Sequence, residues 1–207
     1  MANAWVGGDA RPNDRQDELM LSADVRPSSV ADWRRASAIT YAVRSVVDGV
    51  VLPMTELSGF RGYPVVQWDN AALAERLRTS VGPMLDRPTL SLWERWPAHV
   101  NTGPPPSPLR IVGFASSATW RHAIRAAREL RGFGATAVVC DRRPSQFRLA
   151  EADFGAVFVV TLGGEVLVHG SAGSIDAPRM VATRYWEERL FAHALAVGAT
   201  TPKPGQA

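Results

Sequence analysis

The sequence predicts an α/β protein of mixed α+β character, on three observations. Between Leu109 and Asp141 a strand-like run, an amphipathic stretch of helical length and a second strand-like run follow one another. An apolar hairpin pattern surrounds Gly163-Gly164. Apolar residues make up 46% of the 207, enough to fill a sizeable core.

Residues 1–27 are rich in Asp, Asn, Gly and Pro, lack periodicity, and read as a flexible N-terminal arm. An α+β subdomain is expected over 28–100. Ser29 can cap a helix opening at SSVADW, with Asp32 at capping-box distance and Val30 and Trp33 as its apolar edge. In ITYAVRSVVDGVVLPM, β-branched residues flank Asp48-Gly49, a pair that favours the positive φ of a tight turn, and a hairpin is expected there. GYPVVQW reads as a strand. NAALAERLRTSVGPML reads as a helix capped by Asn70, with Ala71, Leu73, Ala74, Leu77 and Val81 mostly inward. NTGPPPSP, residues 101–108, holds three consecutive prolines and is expected to be a stiff connector.

An α/β domain is expected over 109–198. PLRIVGFA is its first strand, TWRHAIRAARELRGFG a helix ended by glycine, and ATAVVCD a second strand, together a βαβ unit with parallel strands. QFRLAEAD forms a short helix and GAVFVVTLGGEVLVHG a hairpin. A long helix closes the chain, with Asp176 as cap and Pro178 in its first turn, and residues 199–207 read as a disordered tail.

Cys140 is the single cysteine, which rules out an intrachain disulfide. The opening MANAWVGGDARPNDRQDE is polar and acidic, unlike a signal peptide, and no stretch approaches the ~20 apolar residues of a membrane span. A cytoplasmic protein without a membrane partner is therefore expected. The net charge is +3 and Lys203 is the only lysine, so the positive charge sits on arginine, whose planar fork suits carboxylate and phosphate.

That charge concentrates in residues 110–148. On the helix after Ser117, Ala123, Ile124, Ala127 and Leu130 share one face and Arg121, Arg125 and Arg128 line the other, at about 100° per residue. Arg110, Arg131 and Arg148 add to this basic face. Ser116, Ser117 and Thr119 stand where the helix's first amides need partners, and a parallel unit brings Arg142 and Arg143 toward the same edge. These five residues form a candidate anion site. The expected function is non-catalytic binding, an adaptor whose arginine face engages an anionic partner: an acidic protein surface, a nucleic acid or a phosphate ligand.

Two alternatives accompany it. One is an enzyme that binds a nucleotide or phosphorylated cofactor at the 113–119 loop and 141–143. Against the Gly-x-Gly-x-x-Gly pattern the chain offers Gly113, Ala115 and Ala118; the unit ends in the acidic Asp141, and GFGATAVVCDRRP resembles the end of the dinucleotide-binding unit of nicotinamide-dependent dehydrogenases, a resemblance over about thirty residues. The other is an assembly protein, homo-oligomers included, that associates through Trp93 and Trp96. Ser116, Asp141 and His169 follow the hydrolase order without the Gly-x-Ser-x-Gly elbow, so catalysis is not expected from them. His99, His122 and His193 lack partners at metal-ligand spacing, and no cofactor is identified.

Overall fold

A computed structural model of the chain describes residues 30–96, 103–172 and 181–200. The expected arm, the Ser29 cap, Asp176, Pro178 and the tail from Thr201 lie outside the described residues.

Helix α1, Val30–Arg44, runs through the ITYAVR segment expected to be a strand. Ile39, Ala42 and Val43 recur at helical spacing and, with Val47 beyond the helix end, are buried together. Asp48-Gly49 therefore turns the chain from helix into strand and makes no hairpin. Gly49 has φ 148, and a Cβ there would lie 2.9 Å from the Val66 carbonyl oxygen. The expected apolar edge is also reversed, since Val30 and Trp33 are 69% and 62% exposed.

The hairpin forms ten residues later. Strands β1, Val50–Val51, and β2, Thr55–Leu57, both pair antiparallel with β3, Phe60–Trp68. Its turn is Ser58-Gly59, with φ 50 and 84, the positive values that a two-residue I′ turn requires. Helix α2, Asn70–Arg78, follows, and its cap is Asp69, whose Oδ1 accepts from the Ala72 amide at 2.9 Å. The buried face is accordingly Ala72, Leu73 and Arg76, while Ala71, Ala74, Leu77 and Val81 are exposed. Helix α3, Arg87–Glu94, is capped in the same way by Asp86.

Strand β4, Leu109–Ser116, pairs antiparallel with β3 from Tyr63↔Ala115 to Trp68↔Leu109, so one hydrogen-bonded sheet runs past the proline stretch. Helix α4, Trp120–Glu129, ends in a 3-10 turn, Leu130–Phe133, and leads to β5, Ala135–Cys140, parallel to β4. Helix α5, Gln146–Phe154, precedes β6, Phe158–Thr161, parallel to β5. Strand β7, Val166–Val168, returns antiparallel, and α6, Val181–Ala196, is the last described helix. The sheet has seven strands in the order β1-β3-β4-β5-β6-β7, with β2 also on β3. This is the α/β class that the sequence predicts.

Alternation along the strands sends side chains to two cores. Val65, Ala115, Ala137 and Val160 pack under α1. On the other face Val66, Ile111 and Phe114 meet Leu73, Ala126 and Phe191 of α2, α4 and α6, and Val138 and Val159 meet Ile124 of α4 and Leu149 of α5.

Charge ties α6 to the rest. Glu188, fully buried, accepts from Arg76 Nη2 at 2.8 Å, Arg184 Nη2 at 2.8 Å and the Met84 amide at 2.9 Å. Arg76 also donates to the carbonyls of Val81, Gly82 and Pro106, and Arg184 to that of Pro105, so the proline stretch is held by both arginines.

Candidate functional site

Parallel strands β4 and β5 end at the same edge, and the loops leaving them enclose a cleft of about 280 Å³. Ser117, Arg142 and Arg143 line it together, as the parallel geometry leads one to expect. Arg148 from α5 and Arg35 from α1 join them. Arg35 stands 106 residues before Asp141 in the chain, yet its Nη2 donates to Asp141 Oδ1 at 3.1 Å. Arg143 Nη1 reaches Glu165 at 3.4 Å, and Arg148 lies over the Trp120 ring at 5.8 Å. Exposed Arg142 has no such partner among the described residues.

Two of the predicted anion-site residues do not share the cleft. Ser116 is the last residue of β4, buried, and its Oγ accepts from the Ala118 amide at 3.3 Å. Thr119 is the α4 N-cap residue but makes no side-chain cap bond; its Oγ1 lies 2.8 Å from His122 Nδ1. Ser117 hydrogen-bonds to the hydroxyl of Tyr63, which burial pushes above its ordinary pKa while the Ser117 bond and the Arg35 charge oppose that shift. Burial likewise raises the Cys140 thiol, and the Asp141 carboxylate adds to the effect.

The expected 113–119 loop is mostly strand. Gly113 sits inside β4 in register with Ala135, and a Cβ there would meet the Ala135 carbonyl oxygen at 2.8 Å. Its role is close strand packing. Ala115 is buried in the same strand, so neither residue can present its amide to a pyrophosphate as the dinucleotide fingerprint demands. Ser116, Asp141 and His169 also fail to form a relay, because Ser116 is turned into its own loop, Asp141 is taken by Arg35, and exposed His169 follows Val168, which pairs with Val159 near the start of β6, whereas Cys140 pairs with Thr161 at its end.

The arginine face itself is displayed. Arg121, Arg125 and Arg128 are exposed on α4, opposite buried Ala123, Ile124, Ala126 and Ala127. They line a groove of about 480 Å³ between α4 and α5, with Trp120 and Ile124 as its apolar part. Across it, Glu151 accepts from Trp120 Nε1 at 2.9 Å and from Arg128 Nη2 at 3.1 Å. Arg121 and Arg125 have no ion-pair partner among the described residues.

The Trp93 region is partly used inside the chain. Trp93 is half-buried under the Arg184 guanidinium, 5.5 Å from the ring centre, while Trp96 is 44% exposed. No helix among the described residues is long and apolar enough to cross a membrane. Two features had no counterpart in the sequence reading: Arg35, which no local pattern connects to the cleft, and a pair of exposed phenylalanines on α5, which the helical period does mark. No protein-family model matches the chain, and no curated protein or solved structure matches it either.

Proposed function

We propose that the protein is a non-catalytic binding module whose arginine face, from α4 across to the end of β5, engages an anionic partner. One observation carries this reading. Of the acids near that face, Asp141 is engaged by Arg35, Glu151 by Arg128 and Glu165 by Arg143, which leaves exposed Glu129 of α4 against Arg121, Arg125 and Arg142, three exposed guanidiniums without an ion pair among the described residues. A cluster of uncompensated guanidiniums attracts negative charge at long range and forms bidentate bonds on contact.

The test is an anisotropy titration of labelled polyglutamate and of a single-stranded oligonucleotide over a salt series. The expected result is binding that weakens steeply with salt, with a shallower slope in Arg121→Glu/Arg125→Glu/Arg142→Glu. Binding to neither probe at low salt refutes the reading.

A second reading is supported by the meeting of Ser117, Arg142, Arg143 and Arg148 in one cleft. Its volume lies at or below the lower end of the ~300–1,000 Å³ of drug-sized sites, which suits a phosphate group better than a whole dinucleotide. A thermal-shift series with inorganic phosphate, ATP, NADP and coenzyme A tests it. A ligand at a hundredfold excess over its Kd adds about 2.7 kcal/mol, and the gain should vanish in Arg142→Ala/Arg143→Ala.

A further inference from the structure

Helix α5 reads QFRLAEADF, and Leu149 and Ala152 turn into the core against Ile124 and Ala127 of α4. At 3.6 residues per turn, Phe147 and Phe154 then share one line on the opposite side. They are 81% and 93% exposed. Single exposed apolar residues are ordinary on a protein surface, but here two phenylalanines stand in register on either side of Glu151, one turn away along α5, and Glu151 lines the groove with Arg121 and Arg125.

From this juxtaposition, and resting on the reading that the arginine face binds anions, we infer that the α4–α5 face receives an acidic amphipathic helix of a partner protein. Phe147 and Phe154 lie about 10.5 Å apart along α5, the advance of one helix over seven residues, so apolar side chains at i and i+7 of a docked helix fall on both. Glutamates or aspartates along one flank of that helix meet Arg121 and Arg125.

Charge selects this occupant over two others. A second copy related by a two-fold axis centred on α4 would set the stripe of Arg121, Arg125 and Arg128 beside its own copy, with Glu129 as the one acid of that helix to offset it. A nucleic-acid strand stacked on the phenylalanines carries a phosphate at every nucleotide and would pass charge along exposed Asp153, which adjoins Phe154, whereas a helix confines its acids to the flank that faces Arg121 and Arg125.

The experiment uses the full chain and a labelled synthetic helix with leucines at i, i+3, i+4 and i+7 and glutamates on one flank. The comparators are a peptide of the same composition with its leucines scattered, polyglutamate, and single-stranded DNA. The patterned peptide is expected to bind, and both Phe147→Ala/Phe154→Ala and Arg121→Glu/Arg125→Glu to weaken it at least ~10-fold with the thermal midpoint unchanged. Equal binding of patterned and scattered peptides, or no loss in the phenylalanine variant, overturns the inference while leaving the anion-binding reading intact. DNA binding that is lost in the phenylalanine variant, or a dimer in sedimentation that the same variant dissociates, overturns it in favour of nucleic acid or a second copy. Failure of every anionic probe at low salt takes both readings down.

Discussion

Truncating Glu188 to alanine should be the most damaging single change in the α6 interface. Its two carboxylate oxygens receive donors from Arg76, Arg184 and the Met84 amide, and Arg76 is 2% exposed. Removing the acid leaves two guanidiniums in or near the core with backbone carbonyls as their remaining partners. Breaking a buried pair in this way costs about 3–5 kcal/mol, because the surviving charge stays desolvated. For a chain of this size that lowers Tm by about 6–20 °C, at roughly 2–4 °C per kcal/mol. Glu75→Ala is the control: its partner Arg78 and Glu75 itself are mostly exposed, at 71% and 53%, and the change should scarcely move Tm. Differential scanning calorimetry on both variants decides the matter. A Glu188→Ala midpoint within about 3 °C of wild type would refute the claim that this network holds α6 to α2.

Three further outcomes are expected. Burial lowers the pKa of His193, a hydrogen bond to the Pro53 backbone only partly offsetting it. The unfolded chain therefore takes up the proton first, near pH ~6.5, and stability should fall as pH drops through that value toward the lower folded one; His193→Gln should remove this slope in denaturant titrations at a series of pH values. Gly134 has φ 141 and a Cβ there would clash with the Val112 carbonyl oxygen, whereas Gly132 has nothing within 4 Å. Gly134→Ala should thus cost at least ~2 kcal/mol and Gly132→Ala less than ~1 in urea melts. The raised pKa and partial burial of Cys140 should make it react with iodoacetamide at least ~10-fold more slowly folded than unfolded at neutral pH, and equal rates would count against the placement of its thiol.

The second half of the fold was legible because its strands and helices differ in period as well as composition. RIVGFA and ATAVVC are short, apolar and bounded by breakers, whereas the arginines between them repeat at helical spacing. ITYAVRSVV misled because Ile, Thr and Val favour strands on composition alone. Ile39, Ala42 and Val43 nevertheless carry the helical period, and it is this period that α1 follows when it packs on the sheet. The α2 face was misplaced for a related reason. An apolar-only pattern assigns Leu77 inward, but Arg76 turns inward because Glu188, far along the chain, neutralises it.

The candidate site divides along the same line. Arg121, Arg125 and Arg128 are readable as one face because a single helix carries them, and Arg142 and Arg143 reach Ser117 because parallel strands share an edge. Arg35 was not readable, since its place depends on how α1 crosses the sheet. Its presence changes the local electrostatics: it takes up Asp141, the one carboxylate between Cys140 and Arg142, and so leaves Arg142 uncompensated. The phenylalanines follow from the period that buries Leu149 and Ala152, which must turn residues 147 and 154 outward. A buried stripe on a short helix fixes its exposed stripe as well, and two aromatic residues on the exposed side, beside unpaired arginines, are the feature of this surface that solvation alone does not explain.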